Sequence, residues 1–561
     1  MASLKYKRRP TIEVKVGSTA IGGQNPVRLQ SMASTSTMDT PASVAQALRI
    51  VEAGAELVRF TAQGVREAEN LGEIRRQIRA AGVATPLVAD IHFNPRAAFA
   101  AAETVEKVRI NPGNFVDPGR TFRKIEFTDE EYAAELKRLE AALIPFLEKC
   151  RANGTAIRLG VNHGSLSDRI MSRYGDTPAG MVESAMEFLR VFRKENFNDV
   201  VISIKASNVV VMVSTVLLLV DAMEREGMAY PLHLGVTEAG DGEDGRIKSA
   251  LGIGSLLALG IGDTIRVSLS EEPEFELPVA RRIMDYIDEI AAAPSITGER
   301  NYTLCCGKKR STEPLGNVGG ESLPVVVGES ASATYDPEMT PDLYLDTDGE
   351  KFQEIDAADV LSGRCPVLEN RILLMSSTHA DRSLEMAAAI ERLSADGVMN
   401  PVVVRADYRG LDEETVAVRA SIELGSLFLS GLADGLMIVS DSLSAEKSSK
   451  LAFSILQSAR LRFSKTEFIS CPGCGRTLFD LQATLAKVKE ATSHLKGLKI
   501  GVMGCIVNGP GEMADADYGY VGAGTGRVSL YKGKECVERN IPAEEAVGRL
   551  VALIKSCGDW K

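Results

Sequence analysis

The feature that most constrains the fold is a regular alternation of short β-branched runs with helix-like stretches, from the N-terminus to about residue 290. This alternation is typical of βα units around a parallel sheet. Eight runs can be counted, at residues 27–30, 57–61, 86–91, 107–110, 156–161, 200–205, 232–237 and 264–269. Eight strands that each lead into a helix predict a closed (β/α)8 TIM barrel.

Each of these runs ends in polar or charged residues. In a barrel all eight ends converge on one rim, where such barrels place their active sites. Five of the rim residues are cations in a chain of formal charge −12, namely Arg59, Arg109, Arg158, Lys205 and Arg266. Because the planar guanidinium fork matches phosphate oxygens in pairs, we expect a small polyanion such as a diphosphate. One or two of the five should instead pair with Asp or Glu across the barrel.

Composition excludes several other classes of protein. The negative net charge argues against a general nucleic-acid binder. The longest apolar run, residues 209–220, is too short to cross a bilayer, so we expect no membrane association. Cysteines are few and no apolar stretch follows the basic residues 1–10, so we expect neither a secretory signal nor a disulfide scaffold. A cytoplasmic location follows.

The pattern changes between about residues 291 and 430. Loop-like stretches at 294–298 and 305–320 precede strand-like runs at 323–328 and 402–405, which predicts a second α/β domain. The predicted domains are therefore 1–290, 291–430 and 431–561, the last of α+β class. Residues 262–270 and 435–444 are weakly similar, so the middle domain is either a degenerate copy of the barrel or a chance match.

Three cysteines mark the last domain. Cys471 and Cys474 form a CxxC pair, and Cys505 follows a predicted strand at 498–503, with Glu512 seven residues further on. Three thiolates leave an iron–sulfur cubane one ligand short, and a carboxylate is a harder, more exchangeable ligand. This pattern favours a catalytic 4Fe-4S cluster that binds substrate at its fourth iron. A CxxC pair is also typical of zinc knuckles and thioredoxin-like redox sites, and both remain open at this point.

The motifs together resemble a known family. They lie at residues 30–32 (QSM), 58–59 (VR), 86–93 (PLVADIHF), 108–114 (VRINPGN), 157–162 (IRLGVN), 204–207 (IKAS), 233–240 (HLGVTEAG), 247–250 (IKSA), 262–269 (GDTIRVSL), 470–474 (SCPGC) and 503–512 (MGCIVNGPGE). The chain resembles the 4-hydroxy-3-methylbut-2-en-1-yl diphosphate synthases of the methylerythritol phosphate route to isoprenoids. The family's longer form carries an extra domain between barrel and cluster domain, which accounts for residues 291–430.

The resemblance implies a reaction and its cofactor. The reaction is the reductive ring opening and dehydroxylation of 2-C-methyl-D-erythritol 2,4-cyclodiphosphate to 4-hydroxy-3-methylbut-2-enyl diphosphate, which consumes two electrons. A 4Fe-4S cluster would deliver them from ferredoxin or flavodoxin, and its ligands would be Cys471, Cys474, Cys505 and Glu512. Two arrangements of the chain stay open. In two-domain relatives the barrel of one chain meets the cluster domain of another, which predicts a homodimer, whereas the inserted domain could let one chain close on itself.

Roles for the rim residues follow from this chemistry. Glu238 is the expected proton donor, since it ends a strand among cations. Asn508, in the loop between Cys505 and Glu512, is expected to orient reacting groups. The expected substrate-binding residues are Arg59, Asp90, Arg109, Arg158, Asn162, Lys205, Thr237, Arg266 and Ser268.

Two other functions remain open from the residues alone. The first is a Schiff-base aldolase with Lys205 as nucleophile and a structural zinc at the cysteines. The second is a non-catalytic iron–sulfur carrier on a barrel scaffold, which leaves the rim cations without a role. The middle domain is expected to act as a spacer, because it shows no metal spacing, phosphate loop or nucleophile motif of its own.

Overall fold

The computed structural model describes residues 2–117, 126–305, 307–506, 509–513 and 515–560. The chain divides into two compact units. One consists of Arg9–Gly245, Ile261–Arg281 and Glu467–Lys561, and the other of Met1–Arg8, Arg246–Gly260 and Arg282–Thr466. The first unit therefore contains both the N-terminal βα repeats and the C-terminal cysteines.

The strands of the described chain are numbered in chain order. They are β1 Ala2–Leu4, β2 Val14–Val16, β3 Thr19–Ile21, β4 Arg28–Met32, β5 Leu57–Thr61, β6 Leu87–Asp90, β7 Lys107–Ile110, β8 Ala156–Asn162, β9 Val200–Lys205, β10 Leu232–Leu234, β11 Thr264–Ile265, β12 Ile296–Gly298, β13 Val325–Gly328, β14 Leu343–Tyr344, β15 Phe352–Asp356, β16 Ile372–Ser376, β17 Val402–Asp407, β18 Gly435–Val439, β19 Glu467–Ser470, β20 Lys499–Met503, β21 Tyr518–Gly524, β22 Arg527–Lys532 and β23 Glu535–Pro542.

The α-helices are numbered in the same way. They are α1 Thr40–Glu52, α2 Val65–Ala80, α3 Pro95–Thr104, α4 Pro112–Phe115, α5 Asp129–Asn153, α6 Asp168–Tyr174, α7 Pro178–Lys194, α8 Val209–Arg225, α9 Gly242–Ser249, α10 Ser255–Ala258, α11 Glu276–Ala292, α12 Leu345–Asp348, α13 Ala357–Leu361, α14 Arg382–Ala395, α15 Glu413–Leu429, α16 Ala445–Ser458, α17 Leu481–Thr492, α18 Gly509–Glu512 and α19 Ala543–Ser556. A π-helical turn, Ala250–Gly254, joins α9 to α10.

Strands β4 to β11 close into an eight-stranded barrel in chain order, with β11 returning beside β4. All eight pairs of neighbouring barrel strands are parallel, as in Arg109 opposite Arg158 and Asn162 opposite Lys205. The predicted TIM barrel is thereby confirmed. All eight predicted runs contain a strand, although β10 and β11 are shorter than expected.

Local capping fixes where the helices begin after several barrel strands. The side chains of Asn94, Asn111 and Asn208 each accept a backbone N–H from the first turn of the helix that follows. Such caps satisfy backbone donors that have no partner within the helix. They also keep the linker from strand to helix short, so the residues at each strand end stay near the rim.

A hairpin of β2 and β3 packs under the barrel and was not predicted from the sequence. Its Val14, Val16 and Ile21 form one fully buried cluster with residues of the barrel strands, namely Leu57, Val88, Ala156 and Val201. This cluster closes the end of the barrel opposite the rim. Each of these strands has only three residues, which is too short for a clear alternating pattern.

The second unit contains a six-stranded sheet in the order β14-β13-β18-β17-β16-β15. All pairs of neighbouring strands in this sheet are parallel. Strand β13 lies beside β14, strands β15 to β18 follow one another in chain order, and β18 lies next to β13. This is the strand order of a barrel that is open between β14 and β15. Strand β18 belongs to this sheet, because it pairs with β13 and β17, although it follows the expected domain boundary at residue 430. The three-domain division stays a prediction.

The C-terminal residues form a five-stranded sheet, β19 to β23, that is parallel at first and antiparallel from β21 onwards. Helices α17 and α19 cover it, with Val488, Leu550 and Ile554 fully buried against the strands. Strands β19 and β20 end just before Cys471 and Cys505, and so bring two cysteine segments to one edge.

The apolar run at residues 209–220 lies within the amphipathic barrel helix α8. Among the described helices, none combines the length and the apolar character that a bilayer crossing requires.

Candidate active site

Asp90 organises the rim of the barrel. Its carboxylate accepts a hydrogen bond from Arg59 Nη2 at 2.6 Å and another from Arg109 Nη1 at 3.2 Å. Burial alone would raise the pKa of Asp90, but the charges of Arg59 and Arg109, with the His92 side chain beside it, hold it well below its usual range. Asp90 is therefore an anion that fixes two of the predicted cations.

Arg109 is fully buried and its guanidinium is held from several sides. Besides Asp90, it donates to Gly160 O at 2.8 Å and lies against Asn162 and His92. A Cβ at position 160 would lie 2.4 Å from Arg109 Nε, so only glycine leaves room for the guanidinium there. Burial and the charge of Arg109 lower the pKa of His92, which keeps this imidazole neutral.

Arg266 is also paired with a carboxylate. Its Nε and Nη2 donate to the two oxygens of Glu276 at 3.0 and 2.8 Å, a bidentate pair. Three of the five rim cations, Arg59, Arg109 and Arg266, therefore bind a carboxylate, where one or two were expected. The excess arises because Asp90 is shared between two arginines.

Arg158 and Lys205 differ from the other rim cations. Arg158 donates through Nε to Ser203 Oγ at 3.0 Å, while its Nη1 and Nη2 are buried without an acceptor among the described residues. Arg59 Nε and Nη1 are in the same state. Burial, together with the charges of Arg59 and Arg158, lowers the pKa of Lys205. Buried donors of this kind need an anion, since an unpaired buried charge is costly.

The cysteine segment lies against the barrel within the same unit. Ala239, just after Glu238, forms a parallel bridge with Ser470 at the end of β19. Ser270 Oγ donates to Cys471 O at 2.9 Å. These bonds place the start of the CxxC segment over the strand ends of the barrel.

One cavity receives side chains from both the rim and the cysteine segment. The residues lining it are Met32, Arg59, His92, Lys205, Thr237, Glu238, Arg266, Cys471, Pro472, Gly473, Cys474, Arg476, Thr477, Met503, Gly504, Cys505, Gly509 and Glu512. All four expected cluster ligands are in this set. The other expected rim residues, Asp90, Arg109, Arg158, Asn162 and Ser268, are buried but do not line it.

Glu512 and Glu238 both line this cavity and lie close to each other. Asn162 Nδ2 donates to Glu512 Oε1 at 2.8 Å, which ties the end of β8 to the C-terminal segment. Glu238 is 3% exposed, has a left-handed backbone with φ of 49°, and its Oε2 meets no donor among the described residues. Burial and the nearby Glu512 raise the pKa of Glu238 well above its usual range, which favours the protonated form of this carboxyl.

The donor set in the cavity is of the kind that iron–sulfur clusters use. Cys471, Cys474 and Cys505 offer three thiols and Glu512 a carboxylate, and a cubane takes one ligand per iron, with thiolates as the usual ligands. Burial and the neighbouring Cys474 raise the pKa of Cys471, whereas a bound metal keeps a thiol deprotonated. Gly504 N–H donates to Cys471 Sγ at 3.3 Å.

Sequence reasoning missed two residues of the cavity. Arg476 is 7% exposed, its Nη2 lies 3.7 Å from Asp90 Oδ2, and the nearby Cys474 and Asp90 raise its pKa despite burial. Its place two residues after Cys474 was the available signal. His92 follows Asp90 in the rim pattern but was given no role. Asn508 lies outside the described residues.

The cationic rim of this TIM barrel shares one cavity with three cysteines of the same chain. These features are typical of an enzyme that binds a small anion beside a thiol-rich centre. The comparisons with known proteins narrow this class. Residues 11–281 match the family model described as the GcpE TIM-barrel domain, and residues 467–556 match the GcpE protein C-terminal domain.

Relatives match over the whole chain. A protein of Parabacteroides distasonis is 55% identical over 100% of both chains. A protein of Porphyromonas gingivalis is 50% identical over 99% of each. One of Chlorobaculum tepidum is 41% identical over 99% of this chain and 90% of its own. All three are named 4-hydroxy-3-methylbut-2-en-1-yl diphosphate synthase (flavodoxin). The chain belongs to the GcpE family, which confirms the resemblance seen in its motifs.

Proposed function

We propose that this chain is a 4-hydroxy-3-methylbut-2-en-1-yl diphosphate synthase. It reduces 2-C-methyl-D-erythritol 2,4-cyclodiphosphate, opens the ring and releases one hydroxyl as water. The observation that carries the proposal is the single cavity lined by rim cations, by Glu238 and by the set Cys471, Cys474, Cys505 and Glu512. The names of full-length relatives support it.

Those last four side chains are the proposed ligands of a 4Fe-4S cluster. When bound, the cluster supplies electrons one at a time beside the substrate, chemistry that no side chain provides. Asn162 holds the Glu512 carboxylate in place through its 2.8 Å hydrogen bond. Arg476 places a guanidinium near Cys474 and Cys505, where it offsets negative charge.

The rim residues bind and orient the diphosphate. Arg158 and Arg59 offer buried N–H groups with no acceptor among the described residues, which suit phosphate oxygens. Asp90 holds Arg59 and Arg109 in fixed positions, so little reorganisation is needed when the anion arrives. Lys205, Thr237, Arg266 and Ser268 complete the proposed binding set.

Glu238 is the proposed proton donor. Its protonated carboxyl lines the cavity between the rim and the cysteine segment, so the proton at Oε2 can pass to the departing hydroxyl. The hydroxyl leaves as water, and the two electrons consumed come from the external donor. Asn508, which lies between Cys505 and Glu512 in the sequence, is proposed to orient reacting groups.

Flavodoxin is the proposed electron donor, because the relatives carry it in their names. Ferredoxin is the other donor that the family resemblance implies, and it can be compared with flavodoxin as the reductant in an assay of turnover. The cytoplasmic location and the homodimer stay predictions.

Substitution of Cys505 tests the ligand assignment. We expect Cys505→Ser to lose iron and turnover together, because serine replaces a thiolate that holds one iron. The matched control is Cys536→Ser, on β23 of the same sheet and outside the cavity. Glu512→Gln should be milder and keep part of the cluster. Iron per chain, visible absorption and turnover are measured after anaerobic purification. Full iron content and normal turnover in Cys505→Ser would refute the assignment.

A further inference from the structure

A second basic group lies deeper in the barrel than the rim. Lys107 is on β7, two residues before Arg109, so both side chains point to the same side of the strand. In register it lies between Val88 and Ala156, which belong to the buried cluster that closes the barrel floor. Its exposure is 0%, and Nζ has no acceptor among the described residues. Barrel interiors at this depth are usually filled by branched apolar side chains.

The surroundings of Lys107 are basic. The titratable side chains of the barrel interior that interact with Lys107 are Arg158 on β8, Arg59 on β5 and His233 on β10. Asp90 on β6, Arg109 on β7 and Lys205 on β9 lie next to those arginines. The one carboxylate among them, Asp90, is already bound by Arg59 and Arg109. Gln30 on β4 adds an amide whose Oε1 and Nε2 also lack partners within the described chain.

A permanently charged ammonium in this place would be very costly. Burial in a low dielectric penalises it, and the two nearest guanidinium groups repel it. An arginine cannot release its proton in a protein, but a lysine can. In accordance with this, burial and the charges of Arg158 and Arg59 lower the pKa of Lys107 well below its usual range.

We propose that Lys107 is a neutral amine in the free enzyme and takes up one proton from solvent when the diphosphate binds above it. The inference rests on the proposed function, because it requires the anion to bind at Arg158 and Arg59. The incoming negative charge offsets the repulsion from the arginines, so the ammonium forms only in the complex. Lys107 is a positioning residue: in the complex its charge adds to the positive potential that the bound phosphate meets from below.

The chemistry of the ligand makes this proton uptake measurable. In a cyclic diphosphate each phosphorus carries a single, strongly acidic oxygen, so the ligand itself neither gains nor loses a proton near neutral pH. Protons taken up on binding therefore come to rest on the protein. Between the pKa of Lys107 in the free enzyme and its higher pKa in the complex, the affinity for the cyclodiphosphate should fall as the pH rises, by about tenfold per pH unit at most.

Calorimetry of the anaerobically purified, oxidised holoenzyme tests the proposal, because no turnover occurs without a reductant. The cyclodiphosphate is titrated in buffers of different ionisation enthalpy, and the dependence of the observed heat gives the number of protons taken up. We expect Lys107→Met to take up about one proton fewer per chain than the unmodified enzyme. Gln30→Met is the matched control, since it removes a buried polar group without a titratable proton, and it should keep the uptake.

Three outcomes separate the possibilities. Loss of the proton in Lys107→Met but not in Gln30→Met supports the proposal. Equal proton uptake by Lys107→Met and the unmodified enzyme overturns the proposal for Lys107. In that case the proposed function still stands, because both enzymes bind the cyclodiphosphate. If the unmodified enzyme does not bind the cyclodiphosphate at all, the proposed function fails first. Should Lys107→Met not fold, Lys107→Gln gives the same comparison, because it also lacks the titrating amine.

Discussion

The rim cations are not equivalent at the scale of single residues. Before any ligand binds, Arg266 pairs with a buried carboxylate of its own, Glu276, and Arg109 shares the buried Asp90 with Arg59. Arg158 has none, and two of its nitrogens are buried without an acceptor in the described chain. Loss of Arg158 should therefore act mainly on ligand binding, whereas loss of Arg266 leaves Glu276 as a buried, unpaired carboxylate and should act mainly on stability.

Arg158→Met should weaken binding of the cyclodiphosphate by about 2 to 4 kcal/mol, because a buried phosphate loses charge-assisted hydrogen bonds. The dissociation constant, measured by calorimetry on the oxidised enzyme, is the readout. Arg96→Met, at an exposed position on α3, is the control and should bind normally. A dissociation constant in Arg158→Met that matches the unmodified enzyme would exclude a phosphate site at this arginine.

Sequence alone could predict which cations reach the rim, because position at a strand end decides it. It could not predict that Arg59 and Arg109 share Asp90, since that depends on distances across the closed barrel. Lys107 escaped notice for a similar reason. Its place in a strand was evident, but its inward direction and missing partner depend on register and packing.

At the scale of elements, the loop after β8 makes a close approach to the segment that carries Glu512. Gly164 has a φ of +77°, and a Cβ there would lie 2.2 Å from Gly511 O. Because the atoms that the added Cβ would meet are all backbone atoms of Gly511, no flexible side chain can move to make room. A residue larger than glycine at this position must therefore push α18 away from Asn162 and from the cavity.

Gly164→Ala should lower iron retention and turnover by displacing Glu512. The control is Gly154→Ala, at the end of α5, where φ is also positive at +64° but no atom lies within 4 Å of the added Cβ. That variant carries only the cost of a strained backbone, about 1 kcal/mol of stability. Iron content and turnover are compared in the two purified variants. Equal values for both would mean that contact with Gly511 has no functional role.

The barrel strands were predictable as elements because each buried run is bounded by polar residues and followed by a helical pattern. The hairpin of β2 and β3 was not, because three-residue strands show no periodicity and gain their stability from the barrel floor. Strand β18 lies in residues 435–444, whose weak similarity to residues 262–270 was the one signal that they belong with the middle domain. That signal did not fix the boundary, because the partners β13 and β17 define the sheet of β18 only after folding.

At the scale of the whole molecule, the proposed function depends on one cavity. The barrel rim and the C-terminal cysteines of one chain line it together. All the described residues that line it belong to the unit formed by Arg9–Gly245, Ile261–Arg281 and Glu467–Lys561.

The most direct test is anaerobic purification followed by an iron count and an assay with reduced flavodoxin and 2-C-methyl-D-erythritol 2,4-cyclodiphosphate. The account predicts a brown protein with about four irons per chain that forms 4-hydroxy-3-methylbut-2-enyl diphosphate at the expense of two electrons per turnover. Two results would contradict it. One is a brown protein that only passes its cluster to an acceptor, and the other is a colourless, zinc-containing protein whose Lys205 is trapped with a carbonyl substrate by borohydride.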